Sequence, residues 1–134
     1  MRHTLIATLF ASLIATGAHA ACKQNFSTLG LPLLSQIEFR THETYGGLGQ
    51  TTAAKRIAAR LKAEGYSAVR RSGGVVTALQ ETSGSGRPQD LRFIVTERSG
   101  KTKIEAIFTI QQGQVAGNRV VRDELCRLIA SAAG

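Results

Sequence analysis

The sequence predicts an α+β fold with an antiparallel sheet of four or five strands and two helices on one face. Two segments carry apolar residues every three or four positions, which is typical of helices that lie on a core. Several other segments alternate apolar and polar residues, which is typical of strands with one buried and one wet face. Turn residues separate these segments. The predicted order is β-α-β-β-β-β-α, and two amphipathic helices can cover one face of such a sheet to give a two-layer sandwich.

The first strand is predicted over residues 37–45, and residues 23–36 form an apolar lead-in expected to pack across the core. Gly30 and Pro32 argue against a long helix in that lead-in. In the strand, Ile37, Phe39 and Tyr45 share one parity and are expected to face the core. The opposite parity is expected to face solvent and carries Glu38, Arg40, His42 and Thr44.

A helix is predicted over residues 52–64, after a glycine-rich break at residues 46–49. Thr51 is a suitable N-cap, and Gly65 is a suitable residue to end the helix. The apolar stripe of this helix is formed by Ala54, Ile57, Ala58 and Leu61.

The remaining strands are predicted over residues 68–71, 75–81, 91–97 and 102–111. The first two form a hairpin across a Ser-Gly-Gly turn, and a polar loop at residues 82–90 leads to the last two. Ile107 is the exception to the alternation of the last strand. The second helix is predicted over residues 115–132, with an alternative start near Arg119 because Gly117 and Asn118 are weak helix formers.

The first 20 residues are typical of a secretion signal. A short basic start is followed by a mostly apolar run at residues 5–14. In the following Ala18-His19-Ala20, the two alanines are small residues at the positions that a signal peptidase recognises. We therefore predict a signal peptide over residues 1–20 and a single α+β domain over residues 21–134, in the periplasm or secreted. The apolar run is shorter than the about 20 residues that cross a bilayer, so no transmembrane span is expected.

Cys22 and Cys126 are the only cysteines, and in an exported chain they predict a disulfide bond. The alternative is that Cys22, next to the predicted cleavage site, carries a lipid anchor. A lipid-attachment cysteine normally follows a leucine-like residue three positions earlier, and His19 stands at that position here. The disulfide is therefore the favoured interpretation.

The chain is basic, with a net charge of +8. Without residues 1–20 it keeps 16 basic and 9 acidic residues, because Arg2 is the one Lys or Arg in that stretch. Such a charge favours an anionic partner. The parity of the predicted strands projects a group of cations from the sheet face without helices, with Arg70 and Arg71 as alternatives within the hairpin. This candidate binding face consists of Arg40, His42, Arg70, Arg71, Arg92, Arg98 and Lys103.

No sequence pattern indicates a catalytic, cofactor or metal site. The glycine cluster at residues 45–52 lacks the Lys-Ser/Thr pair of a phosphate-binding loop, and Thr52 replaces the third glycine of the dinucleotide pattern. His42 is the only histidine after residue 20 and has no identifiable nucleophile as a partner. We therefore expect no cofactor and assign no catalytic residue or metal ligand.

These observations favour an exported, non-enzymatic binding protein that acts on an envelope component or on another protein, as inhibitors, immunity proteins and assembly accessories do. The alternative is a binder of an anionic polymer, either nucleic acid or surface glycan, through the basic sheet face. Sheets that bind nucleic acid usually expose aromatic residues, whereas Phe39, Phe93 and Phe108 fall on the buried parity. A third hypothesis is a small hydrolase that uses His42 or a pair of carboxylates.

Overall fold

The computed structural model describes residues 18–81 and 87–134, and within them it has an α+β fold with a six-stranded antiparallel sheet and three helices. The helices are α1 (Ala18–Gln24), α2 (Gln50–Ala63) and α3 (Asn118–Ala130), and a 3-10 turn at Ser131–Ala133 follows α3. The strands are β1 (Ser27–Leu29), β2 (Ile37–Gly46), β3 (Ser67–Ser72), β4 (Val75–Gln80), β5 (Gln89–Arg98) and β6 (Lys101–Ile110).

The sheet has the strand order β1-β2-β6-β5-β4-β3, so its three ten-residue strands lie side by side. Phe39, Phe108 and Leu91 are successive neighbours across these strands. The rings of Phe39 and Phe108 stack with centroids 6.0 Å apart. Because cross-strand neighbours share a face, these three side chains form one row of the core.

Helices α2 and α3 cover one face of the sheet, as the sequence predicts. Their apolar stripes and one face of strands β2, β4, β5 and β6 form a single buried cluster. The other face of the sheet carries no helix among the described residues. Burial therefore alternates along the strands, and in β5 the residues Leu91, Phe93 and Val95 are buried between exposed or half-buried neighbours.

Two elements are missing from the prediction, which gave four or five strands and two helices. Strand β1 has three residues, all exposed, so it shows no alternation from which a strand could be recognised. Helix α1 begins within the last three residues of the predicted signal peptide and continues to Gln24, in the predicted lead-in. The lead-in at residues 23–36 was also expected to pack across the core. Phe26 does pack against the core, but Leu29, Leu31, Leu33 and Leu34 are exposed.

Helix α1 is attached to the rest of the fold by the disulfide Cys22–Cys126, which confirms the predicted bond. Both cysteines are buried in the core cluster. The backbone N–H of Cys22 donates to the carboxylate of Glu43 over 2.9 Å, and the hydroxyl of Thr41 donates to the carbonyl of Cys22. These contacts hold α1 across strand β2 at the edge of the helical layer.

The ends of the two predicted helices differ from expectation. Helix α2 begins at Gln50, and its N-cap is Gly49, not Thr51. The carboxylate of Glu97 accepts a hydrogen bond from the backbone N–H of Gln50 over 3.0 Å. A side chain of strand β5 thus provides the acceptor that this N–H group lacks within the helix. Helix α3 begins at Asn118, close to the alternative start near Arg119.

Most of the predicted signal peptide, at residues 1–17, lies outside the described residues, and so do residues 82–86 of the predicted polar loop. In the part of the chain that is described, no helix is long and apolar enough to cross a membrane.

Candidate functional site

The face of the sheet opposite the helices carries a row of arginines. One line of cross-strand neighbours runs across this face. In order, it consists of Arg40 on β2, Ile107 on β6, Arg92 on β5, Thr77 on β4 and Arg70 on β3. We call Arg40, Arg92 and Arg70 the arginine row. Adjacent strands lie about 4.8 Å apart, so successive arginines, which are two strands apart, stand about 10 Å from each other at the backbone.

The arginine row lines an open depression of about 650 Å³ in this face. Ile107 lies between Arg40 and Arg92 and is only 8% exposed, although none of the described helices covers this face. We attribute this burial to the apolar stems of the arginines on either side, which can cover an apolar neighbour while their charged ends stay in water. The other residues that line the depression include Gln36, Glu38, Leu79, Asp90 and Thr109.

The three arginines differ in their electrostatic surroundings. Arg40 forms an ion pair with Glu38 and a second one with Glu105 over 3.6 Å. The hydrogen bond to Glu38 raises the pKa of Arg40 above its ordinary value. Among the described residues no acidic side chain forms an ion pair with Arg70 or Arg92. Both of these arginines are exposed to solvent.

A second group of cations lies toward the other end of the same face. Arg98, Lys101 and Lys103 line a depression of about 350 Å³ together with Thr44 and Thr96. Lys103 is a cross-strand neighbour of both threonines, and Arg98 is the neighbour of Lys101 in the β5–β6 hairpin. The ammonium group of Lys103 is 3.9 Å from the carboxylate of Glu105. We call Arg98, Lys101 and Lys103 the hairpin cations.

Arg40, Arg92, Arg70, Arg98 and Lys103 of the predicted binding face thus fall into two clusters, and Lys101, which the prediction lacks, belongs to the second. His42 lies between them, and its cross-strand neighbour is Glu105. Of the two alternatives in the hairpin, Arg70 lies on this face. Arg71 is the neighbour of Val76, whose side chain is in the core, and therefore lies on the opposite side of the sheet.

Sequence analysis did not identify the buried carboxylate of Glu43. It lies on the helix-covered side of β2 and is 7% exposed. Its two oxygens accept hydrogen bonds from the backbone N–H groups of Cys22 over 2.9 Å and Thr44 over 3.3 Å. The odd parity of position 43, which it shares with Ile37 and Phe39, is the signal that could have revealed its burial. These contacts give Glu43 a structural role in fixing helix α1.

An apolar cavity of about 240 Å³ opens on the helix side, and it too has no counterpart in the prediction. Its walls include Leu91, Phe108 and Leu125, and Tyr66 lies at its polar edge. The hydroxyl of Tyr66 donates to Glu124 over 3.4 Å. Burial, reinforced by that carboxylate, raises the pKa of Tyr66 to about 12, so the phenol is neutral at physiological pH.

No set of three or more His, Cys, Asp or Glu side chains is grouped as metal ligands within residues 18–81 and 87–134. Comparison with known proteins finds no protein-family model and no curated protein that matches this chain.

Proposed function

We propose that the protein is an exported, non-enzymatic binding protein whose arginine row binds an acidic surface of another protein, in the manner of an inhibitor, an immunity protein or an assembly accessory. The observation that carries the proposal is the alignment of Arg40, Arg92 and Arg70 across an uncovered sheet face around the apolar Ile107. Arg70 and Arg92 have no ion-pair partner among the described residues.

The chemistry of this row suits a protein partner. A guanidinium group can bind a carboxylate through two parallel hydrogen bonds, and arginine is enriched among the residues that dominate binding energy. Protein interfaces combine an apolar centre with a polar rim, and here Ile107 and Leu79 share one depression with the arginines. A backbone spacing of about 10 Å allows each guanidinium to meet a different acidic side chain.

The disulfide supports export, because such bonds persist in oxidising compartments. Together with the signal-like residues 1–20, it favours the periplasm or the extracellular space as the place where the partner is met. The bond also leaves Cys22 without a thiol for lipid attachment. We therefore prefer a disulfide-bonded, non-lipidated protein.

The experiment is affinity capture of partners from an envelope extract by the oxidised protein, followed by a binding measurement with the recovered partner. The double variant Arg70→Ala/Arg92→Ala is expected to weaken binding by at least about tenfold, because two unpaired guanidinium groups are lost. The matched control is Lys55→Ala/Lys62→Ala, which removes the same charge from exposed positions of helix α2. Equal weakening by both double variants would show that only net charge matters and would contradict the proposal.

The second candidate is an anionic polymer, either nucleic acid or surface glycan. It is favoured by the hairpin cations, which extend the positive charge along the same face. Binding to a nucleic acid through several phosphates should weaken by orders of magnitude between about 50 and 200 mM salt. A steep salt dependence together with loss of binding in Lys101→Ala/Lys103→Ala would favour this candidate over the protein partner.

A further inference from the structure

Four leucines, the last residue of β1 and three residues of the connection to β2, are exposed to solvent. Leu29, Leu31, Leu33 and Leu34 are 57–72% exposed, although buried leucine is the rule in folded proteins. All four fall within residues 29–36, and we call this segment the leucine loop. Four exposed leucines within so short a segment are typical of a surface that contacts a protein or a membrane.

The leucine loop has a defined backbone. The hydroxyl of Ser35 accepts a hydrogen bond from the N–H of Leu31 over 2.9 Å, and the N–H of Ser35 donates to the carbonyl of Leu31 over 3.0 Å. Gly30 has φ +112°, and a β-carbon there would collide with the carbonyl of Gln36. Leu33 has φ +68°, a left-handed conformation that an L-residue with a side chain adopts at a cost. The Leu31–Ser35 hydrogen bonds and the conformation of Gly30 thus define the turn on which the leucines are presented.

The leucine loop itself carries no charged residue, and cations lie near one of its ends. The sequence has no charged residue from Gln24 to Ile37. Moving this segment into an apolar medium therefore requires no desolvation of a charged side chain. At its end, Gln36 lines the same depression as Arg40 and Arg92, and the chain as a whole carries a net charge of +8.

We propose that the leucine loop inserts into the interfacial region of an anionic lipid bilayer, with cations of the adjoining sheet face near the lipid headgroups. Each of the four leucines is more than half exposed, and a bilayer can receive them without the shaped pocket that a protein would need. Apolar insertion and electrostatic attraction together are the two contributions that hold peripheral proteins on membranes. This inference does not depend on the protein partner proposed above.

The test is co-sedimentation of the processed protein with two kinds of vesicle. Mass spectrometry first determines at which residue the processed protein begins. One kind of vesicle is phosphatidylcholine, and the other is phosphatidylcholine mixed with phosphatidylglycerol. We expect tighter binding to the anionic vesicles. The variant Leu31→Ser/Leu34→Ser should weaken that binding by at least about tenfold, because two apolar side chains are withdrawn from the membrane.

The matched control is Val115→Ser/Val120→Ser, which removes two other exposed apolar side chains, 75% and 71% exposed, outside the leucine loop. It should bind vesicles like the parent protein, and circular dichroism should show that both variants are folded. Absence of binding to anionic vesicles, or equal binding by the leucine variant, would overturn the inference. The inference would also be overturned if the parent protein were a dimer that does not bind vesicles and the leucine variant were a monomer. Partner capture by the arginine row is measured without lipid, so either proposal can fail while the other holds.

Discussion

Gly74 joins the β3–β4 hairpin to the neighbouring strand and to helix α2. Its carbonyl accepts a hydrogen bond from the N–H of Val95 over 2.8 Å. The side-chain amide of Gln50 donates to the carbonyl of Val95 over 2.8 Å. A β-carbon at position 74 would collide with both the Val95 carbonyl and the Gln50 side chain. The absence of a side chain therefore allows strand, hairpin and helix to meet at this point.

Gly74→Ala is expected to lower the free energy of unfolding by about 1–3 kcal/mol, the usual cost of forcing extra atoms into a packed site. Chemical denaturation followed by circular dichroism measures it. Gly46→Ala is the matched control, because a β-carbon there meets nothing within 4 Å. Its effect should stay within about 0.5 kcal/mol. A Gly74→Ala protein as stable as the Gly46→Ala protein would show that the close contact relaxes without cost.

Helices α2 and α3 are joined by a network of charges. The guanidinium of Arg127 on α3 forms two ion-pair contacts of 2.6 Å with Glu64, at the end of α2, and one of 2.6 Å with Glu124. Arg60 also reaches Glu64 over 2.6 Å. The hydrogen bond from Arg127, more than that from Arg60, lowers the pKa of Glu64 below its ordinary value of 4.5.

This network predicts a pH-dependent stability difference. Because the pKa of Glu64 is lower in the folded than in the unfolded state, its contribution is fully present above about pH 4.5 and is lost as the pH falls through the folded pKa. Arg127→Gln is expected to lower the free energy of unfolding by roughly 0.5–1 kcal/mol at neutral pH, as for other solvent-accessible charge networks. The difference from the parent protein should shrink as urea unfolding is repeated at lower pH.

Arg122→Gln is the control for that experiment, because Arg122 pairs with Asp123 at the surface of the same helix. It should change stability little at any pH. A difference between Arg127→Gln and the parent protein that persists unchanged in acid would contradict the role assigned to Glu64.

The sequence predicts a strand well where apolar and polar side chains alternate along it. Alternation in β2, β5 and β6 places Arg40 and Arg92 correctly on the uncovered face, and Ile107, the exception to that alternation, lies between them. The partner that satisfies the start of α2 could not be predicted, because Glu97 is 47 residues away. Strand β1 is defined by pairing with β2 and not by its own pattern.

The hairpin shows a further limit of local patterns. The register between β3 and β4 shifts between Ser67 and Arg70, at a β-bulge where Ala68 has φ +50°. A bulge adds one residue and exchanges the faces of all that follow. The choice between Arg70 and Arg71 depends on this irregularity, which the alternation of polar and apolar residues does not reveal.

The disulfide links residues that are 104 positions apart, near the two ends of the described chain. Cross-linking so long a segment restricts the unfolded chain and is worth about 4–5 kcal/mol in the chain-entropy model. We expect Cys126→Ser to lower the free energy of unfolding by up to this amount, measured by denaturation of the variant and of the oxidised parent protein. Reduction of the parent protein should lower it similarly and add 2 Da to its intact mass (about 1 Da per sulfur). A stability unaffected by reductant would contradict the prediction.

The two outer strands of the sheet have a consequence for how the molecule behaves in a crowded compartment. An open sheet edge can recruit further strands and so begin aggregation. On one side the outermost strand is β1, which has only three residues, pairs with residues 38–40 of β2 and is followed by Gly30 and Pro32. The other is β3, which is interrupted by its bulge and carries Arg70 and Arg71. Both outermost strands therefore disfavour the addition of further strands, so the sheet can remain open at its sides without a partner strand.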